Sequence, residues 1–193
     1  MKPEIIDLPN AKLLYFPQFF SEAEADTYLK KLLINIEWRQ DKIKMFGKEI
    51  LQPRLTALFA NNDKTYTYSG LTMKPERFSE EILQIKTAVE EVSDVHFTTC
   101  LVNQYRNGQD SMGWHADDEK ELGLNPEIAS VSFGAERNFH FKHKTKNEKF
   151  KLILKHGSLL IMKGSTQHFW KHQLPKTKKE TGKRINLTFR RIE

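Results

Sequence analysis

The sequence has a single cysteine and no long apolar run, and these two absences exclude several classes of protein. Cys100 alone can form neither an intrachain disulfide nor a cysteine-rich zinc site, which is typical of a reducing compartment. No stretch approaches the roughly 18 apolar residues that a membrane-spanning helix needs. The N-terminus, MKPEIIDLPNAK, lacks the apolar segment of a secretory signal. We therefore expect an intracellular protein, in the cytoplasm or nucleus.

The size and charge of the chain narrow the possibilities further. Its 193 residues suit one domain with at most a small extension. Only 38% of the residues are apolar, but 13 Phe, 5 Tyr and 3 Trp supply large core side chains, so we do not expect wholesale disorder. The formal charge of +6 favours a polyanionic partner without separating nucleic acid from a membrane surface.

The order of predicted helices and strands indicates the fold class. Ser21 and Glu24 form a capping-box pattern before apolar residues at helical spacing, and Ser79 precedes a second such run. The second half contains about seven short β-prone runs with no helical pattern between them. This order predicts a mainly β (α+β) fold, with a β core in residues 96–193 and an α/β flank in residues 1–95 packed on it.

Three residues form a candidate metal site. On an extended backbone His115 and Asp117 point to the same side and can hold one ion, although a pair of this kind by itself is more often part of a surface loop. His172, 57 residues downstream, adds a second imidazole. Two imidazoles and one carboxylate leave coordination positions open, as in non-haem Fe(II) sites, with zinc as the alternative metal. His168 is a further candidate ligand, because on a strand it would share the face of His172.

The segment Arg184–Arg190 carries the strongest pattern. Alternation along a strand places four polar side chains on one face and three apolar ones on the other: Arg184, Asn186, Thr188 and Arg190 against Ile185, Leu187 and Phe189. Because arginine binds carboxylates through two parallel hydrogen bonds, the polar face suits a small dicarboxylate beside a metal. The alternative is an ordinary solvated strand face.

Five stretches in this order resemble the AlkB family of Fe(II)- and 2-oxoglutarate-dependent dioxygenases, which remove alkyl groups from nucleic-acid bases. The stretches are Asn103–Glu119, Ile128–Ala135, His156–Met162, Trp170–Pro175 and Arg184–Arg190. The resemblance covers about residues 35–192. It implies a double-stranded β-helix (jelly roll) core with N-terminal helices and a substrate-side hairpin. It also implies Fe(II) as the metal, 2-oxoglutarate and O₂ as cosubstrates, and succinate, CO₂ and an aldehyde as products.

The resemblance further implies a role for each matching residue. The iron ligands would be His115, Asp117 and His172. The contacts to 2-oxoglutarate would come from Asn103, Tyr105, Arg184, Asn186 and Arg190. The substrate side would be formed by Phe46, Arg54, Tyr68, Trp114, Asp118 and Glu119, where the two acidic residues contact either the base or the surroundings of the metal.

Two of these substrate residues have structural alternatives. Tyr68 would be the aromatic platform for a base flipped out of its helix, facing His115 across that base, or else a buried core tyrosine. Phe46 lies in Met45–Lys48, which resembles the tip of a hairpin that inserts an aromatic wedge into duplex DNA. The neighbouring lysines would then hold phosphates: Lys42, Lys44 and Lys48. The alternative is a core hairpin with a solvated flank.

The resulting hypothesis is oxidative dealkylation of N1-methyladenine and N3-methylcytosine in single-stranded or duplex DNA, with RNA as a second substrate class. We expect a monomer with no membrane partner. Two lysine-rich loops, Lys142–Lys149 and Lys176–Arg184, would contact phosphates unless they are simply solvated. Trp114–Glu119 is closer to the subgroup that also accepts RNA, whereas Met45–Lys48 is closer to the duplex-DNA subgroup. The alternatives are a same-fold oxygenase acting on a protein or small molecule, and a non-catalytic nucleic-acid-binding module.

Overall fold

In the computed structural model, most of the regular structure is β-strand. The structure describes residues 2–45, 48–62, 66–68 and 71–192. The strands are β1 (Glu4–Leu8), β2 (Ala11–Phe16), β3 (Lys42–Met45), β4 (Lys48–Leu51), β5 (Leu55–Ala60), β6 (Tyr66–Tyr68), β7 (Leu71–Met73), β8 (Glu76–Arg77), β9 (Thr99–Tyr105), β10 (Met112–His115), β11 (Ile128–Gly134), β12 (Arg137–His143), β13 (Lys149–Leu154), β14 (Ser158–Lys163), β15 (Trp170–Leu174) and β16 (Arg184–Arg190). The helices are α1 (Glu22–Asn35), α2 (Glu80–Glu90) and the short α3 (Thr166–Phe169), with a 3₁₀ turn at Lys120–Leu122.

Two sheets form the body of the fold. The major sheet has eight strands in the order β1-β2-β14-β11-β16-β9-β5-β8, and the minor sheet has four in the order β10-β15-β12-β13. Apolar side chains of both sheets share one core cluster, so the sheets face each other. This arrangement confirms the predicted mainly β jelly roll. Strands from both sides of residue 95 lie in the major sheet, and the proposed division at that residue stays a prediction.

The two longer helices cover the outer face of the major sheet. Ser21 and Glu24 form the predicted capping box of α1, and the Ser79 hydroxyl accepts the Ile82 N–H at the start of α2. Each helix packs its apolar stripe against the outward side chains of the sheet. Leu32 from α1 and Ile82 from α2 belong to the resulting hydrophobic cluster. No helix in the described part of the chain is long and apolar enough to cross a membrane.

The cover provided by the helices explains how β16 is buried on both faces. The apolar side chains of Ile185, Leu187 and Phe189 pack in the cluster beneath α1 and α2. Alternation therefore directs Arg184 and Arg190 into the space between the two sheets. All seven residues of β16 are buried, so the alternative of a solvated strand face is wrong.

The predicted substrate-side hairpin is present as β3 and β4, which pair with Met45 opposite Lys48. Phe46 and Gly47, which join these strands, lie outside the described residues. Tyr68 belongs to β6, which pairs with β7. The roles of Phe46 and Tyr68 therefore stay predictions.

Candidate metal centre

His115, Asp117 and His172 meet at one point between the sheets, where each offers a ligand atom within 4.8 Å of the others. His115 is the last residue of β10 and lies opposite His172 on the neighbouring strand β15. Asp117 follows two residues later in the loop that leaves β10. A single strand pair thus brings together imidazoles that are 57 residues apart in the sequence, with their ring centroids at 4.2 Å.

Hydrogen bonds orient these three side chains. Nδ1 of His115 lies 2.8 Å from the Gly113 carbonyl oxygen, which can only accept, so Nδ1 carries the proton and Nε2 keeps its lone pair. Nε2 of His172 lies 3.5 Å from Oδ2 of Asp117. The backbone N–H of Asp117 donates to Oε1 of the fully buried Gln167 at 2.9 Å. No local pattern in the sequence marks Gln167, because its partner lies 50 residues away.

The charges of the cluster suit a divalent cation. Burial by itself would raise the pKa of Asp117, but Arg190 and the two imidazoles lower that pKa to about 2. Arg190 donates to Oδ1 of Asp117 from Nη2 at 2.6 Å and from Nε at 3.2 Å. Burial, with the neighbouring imidazole, lowers the pKa of His172 to about 3, and burial also lowers that of His115. At neutral pH the cluster therefore offers two neutral imidazoles and one carboxylate, which fits Fe(II).

Arg184 lies at the other end of the polar face of β16 and is buried. Its side chain is 2% exposed, its Nη2 donates to Oγ of Ser132 at 2.8 Å, and its Nε has no hydrogen-bond partner. The guanidinium carbon is 5.3 Å from the ring centre of Tyr105. No carboxylate in the described ranges pairs with it, and burial is the main cause that lowers its pKa to about 10. A buried cation without an anion is costly, so this position fits one carboxylate of an acidic ligand.

Arg184 contacts Tyr105 but is not itself in the wall of the cavity beside the metal cluster. This cavity opens towards solvent. Its wall contains the metal cluster together with four of the predicted cosubstrate residues: Asn103, Tyr105, Asn186 and Arg190. Asn186 lies opposite Asn103 on β9, and its Nδ2 donates to Oγ of Ser130 at 2.8 Å. Nε of the buried Arg54 donates to Oδ1 of Asn103 at 2.8 Å, so Arg54 orients a residue of the cavity wall. A direct contact between Arg54 and substrate stays a prediction.

Three other predicted substrate residues lie around this centre. The ring of Trp114 lies 4.5 Å from Nζ of Lys142 and is not part of the described cavity wall. The exposed Asp118 accepts a hydrogen bond from Nζ of Lys144 at 2.8 Å. Glu119 is half-buried, its Oε2 has no hydrogen-bond partner, and burial raises its pKa, with a further contribution from the charge of Asp117. Their contacts to substrate stay predictions.

The expectation that His168 lies on a strand is wrong. Residues Thr166–Phe169 form the short helix α3, and strand geometry begins only at Trp170. His168 is exposed and does not belong to the metal cluster. The helical turn rotates His168 away from the face that His172 occupies on β15.

A jelly roll that holds two imidazoles and one carboxylate at a cavity, with a buried arginine against the cavity-wall residue Tyr105, has the architecture of a non-haem iron oxygenase with an acidic cosubstrate. Residues 12–190 match the model of the 2OG-Fe(II) oxygenase superfamily. Among curated proteins, the chain is 40% identical to the DNA oxidative demethylase ALKBH2 of Bos taurus, over 90% of this chain and 66% of that protein. It is 39% identical to the alpha-ketoglutarate-dependent dioxygenase alkB homolog 3 of Homo sapiens, over 94% of this chain and 66% of that protein. For ALKBH2 of Mus musculus the identity is 40%, over 90% of this chain and 77% of that protein.

The chain belongs to the AlkB family of 2OG-Fe(II) oxygenases. Fe(II), 2-oxoglutarate and O₂ are the cofactor and cosubstrates of this family, and the metal cluster and the unpaired Arg184 fit the first two. The solved structure of OsALKBH1 has the same fold, with a TM-score of 0.62 and 18% identity over 97% of this chain and 100% of that one. The chain spans slightly less than two thirds of the length of the bovine and human relatives named above.

Proposed function

We propose that this chain is a monomeric Fe(II)- and 2-oxoglutarate-dependent dioxygenase that removes N-alkyl groups from bases in single-stranded or duplex DNA. N1-methyladenine and N3-methylcytosine are the proposed lesions, and RNA is a second substrate class. The observation that carries the proposal is the cluster of His115, Asp117 and His172 at one cavity, with the buried Arg184 against Tyr105 in the wall of that cavity. The names of the ALKBH2 relatives support DNA as the substrate.

Each residue of the cavity then has a distinct task. Bound Fe(II) supplies open coordination positions where 2-oxoglutarate and O₂ react. His115, Asp117 and His172 hold the metal, and Arg184 binds the distal carboxylate of 2-oxoglutarate. The family resemblance implied that Arg190 contacts 2-oxoglutarate, but its pair of hydrogen bonds to Oδ1 of Asp117 supports a different task. It fixes that carboxylate and keeps it ionised.

A row of lysines on the outer face of the minor sheet supports a nucleic-acid partner. Lys142 on β12 lies between Lys171 on β15 and Lys149 on β13, and we call these three the lysine row. Alternation puts them on the opposite face from the buried His172. Like charges directly opposite each other destabilise a sheet, and bound phosphates would relieve this repulsion. Trp114 lies beside the row and offers an aromatic surface.

One experiment tests the proposal and the choice of substrate together. The same oligonucleotide sequence with one N1-methyladenine is offered as single-stranded DNA, duplex DNA and RNA, and formaldehyde and succinate are measured. We expect formaldehyde only when Fe(II) and 2-oxoglutarate are present. Its amount should equal the succinate formed in excess of that formed with the unmethylated oligonucleotide. An unmethylated oligonucleotide and Asp117→Ala are the controls. Turnover of 2-oxoglutarate without release of formaldehyde from any of the three would contradict the proposal and favour a protein or small-molecule substrate.

A matched pair of variants tests the lysine row. Lys142→Gln/Lys171→Gln should weaken oligonucleotide binding and make it less dependent on salt concentration, because two phosphate contacts are lost. Lys30→Gln/Lys31→Gln on α1 removes the same charge from another surface and should leave the salt dependence unchanged. Equal effects of the two double variants would show that only net charge matters.

A further inference from the structure

Arg137 is a second buried arginine, at the end of the fold where Arg184 lies, and none of the sequence patterns marked it for a role. It is the first residue of β12 and is 4% exposed. Its guanidinium donates to three backbone carbonyls: those of Asn107 at 3.2 Å, Asp110 at 3.1 Å and Pro175 at 2.6 Å. These acceptors are neutral, and the carboxylate of Asp110 is already bound through both oxygens to Arg106 at 2.8 and 2.9 Å. The charge of Arg137 is therefore only partly compensated.

Arg137 and Arg184 lie at the same end of the jelly roll. Arg184 pairs with Tyr105 on one side and with Gly134 on the other, and Gly134 is three residues before Arg137. The chain at Gly134 has a φ of 86°, and a Cβ there would lie 2.3 Å from the Lys183 carbonyl oxygen, so only glycine allows this close approach.

The two guanidiniums repel each other. After burial, the charge of Arg137 contributes to the lowered pKa of Arg184, and burial likewise lowers the pKa of Arg137. Two buried cations whose hydrogen-bond acceptors are all neutral destabilise the free protein. An anion bound at Arg184 would relieve both costs at once, and its binding would be favoured by two charges instead of one.

We propose that Arg137 is a specificity and positioning residue of the cosubstrate pocket, which makes this end of the cavity selective for a dicarboxylate. All 2-oxo acids share the keto-acid end, whereas only a dicarboxylate places a second charge near Arg184 and Arg137. The three carbonyl bonds also hold the loop after β9 and the end of β15, which carry cavity residues on either side. The inference rests on the proposed function only in taking 2-oxoglutarate as the cosubstrate.

Equilibrium binding, and not turnover, tests this proposal. Protein loaded with Mn(II) is titrated in a calorimeter with 2-oxoglutarate and with pyruvate, which has the same keto-acid end and no distal carboxylate. Arg137→Met should weaken 2-oxoglutarate binding by about tenfold and leave pyruvate binding within about twofold, because the lost charge acts on the distal carboxylate, which pyruvate lacks. Arg137→Lys should keep most of the preference for 2-oxoglutarate, since the charge remains.

Lys176→Met is the matched control, because it removes an exposed positive charge beside Pro175 and leaves both buried arginines and the Arg106–Asp110 ion pair in place. It should not change the ratio of the two affinities. If Arg137→Met does not fold, Arg137→Gln removes the charge while an amide can still donate to the carbonyls, and the same tenfold change is expected.

Equal losses of 2-oxoglutarate and pyruvate binding would assign Arg137 a purely structural role and overturn the proposal. No change in either affinity, or a lysine variant that behaves like the methionine one, would overturn it as well. A wild-type protein that binds 2-oxoglutarate no more tightly than pyruvate would remove both this inference and the proposed cosubstrate. If wild-type protein prefers 2-oxoglutarate but repairs no oligonucleotide, only the proposed substrate fails, and the role of Arg137 stands.

Discussion

Arg184 and Arg190 begin and end the same strand and are both buried, yet replacing each with methionine should change the stability of the metal-free protein in opposite directions. Arg190 is the ion-pair partner of Asp117, at 2.6 Å, and the pKa of this carboxyl is about 2 instead of 3.8. Because the folded-state pKa is depressed, the pair stabilises the fold above pH 3.8, and this stabilisation is lost as the pH falls towards 2. The difference corresponds to about 2 kcal/mol at pH 7.

Arg190→Met forfeits this stabilisation and also leaves a buried carboxylate without its partner. Removing one member of a buried pair costs about 3–5 kcal/mol in total. Arg184 has the opposite balance, since its pKa of about 10 instead of 12.5 means that burial disfavours its charge by about 3 kcal/mol. Arg184→Met removes this cost and leaves no carboxylate without its partner. We therefore expect the free energy of unfolding to stay the same or to rise.

Urea denaturation at pH 7 in the presence of a chelator measures both changes, with the slope m checked for constancy. Added Mn(II) should then restore much of the stability of Arg190→Met, because the metal replaces the missing positive charge beside Asp117. The same addition should stabilise Arg184→Met about as much as it stabilises the wild-type protein. Similar losses of stability in the two variants would contradict the electrostatic account of this strand. The account is also wrong if Mn(II) does not reduce the difference in stability between Arg190→Met and the wild-type protein.

Four further predictions concern separate parts of the molecule. Asp117→Ala should abolish Fe(II)-dependent turnover while retaining oligonucleotide binding, as followed by formaldehyde release and fluorescence anisotropy; loss of both would indicate misfolding. The metal-free protein should lose stability as the pH falls below about 6.5, because the folded-state pKa of His172, about 3, lies below its ordinary 6.5 and the unfolded chain takes up the proton first. The loss should approach about 1.4 kcal/mol per pH unit, and a constant urea midpoint between pH 7.5 and 5 would contradict it. Ser21→Ala should lower the free energy of unfolding by about 1 kcal/mol through loss of the cap of α1, seen as a lower melting temperature. An unchanged melting temperature would show that water replaces the hydroxyl. Phe46→Ala should reduce turnover on duplex DNA more than on single strands, and equal losses would assign Phe46 to the core.

Local patterns in the sequence predicted the features that depend on one segment alone. The capping box at Ser21 and the alternation along Arg184–Arg190 are both of this kind, because hydrogen bonding at a helix start and side-chain direction on a strand are set by immediate neighbours. His115, Asp117 and His172 were also identified from the sequence, through residue types, spacing and family resemblance. Their meeting point was a prediction that the strand pair β10–β15 confirms.

Contacts between distant segments had no such local pattern. His168 was expected on a strand, but the backbone turns into a helix just before β15 and exposes it. Gln167 and Arg137 were missed, because their partners lie 50 residues away for Gln167 and 27 to 38 residues away for Arg137. Buried side-chain partners of this kind follow from packing and not from local propensity.

The sequence by itself determined that β16 has one polar and one apolar face, since a strand alternates its side chains whatever surrounds it. The single cysteine likewise excluded an intrachain disulfide before any fold was known. Only the tertiary structure decided that the polar face is interior, because α1 and α2 cover the apolar face and the minor sheet closes over the other. Burial increases the effect of these charges, because water no longer screens them. A buried arginine without an anion is therefore unfavourable. Arg190 finds Asp117 within the chain, and Arg184 is left for a ligand.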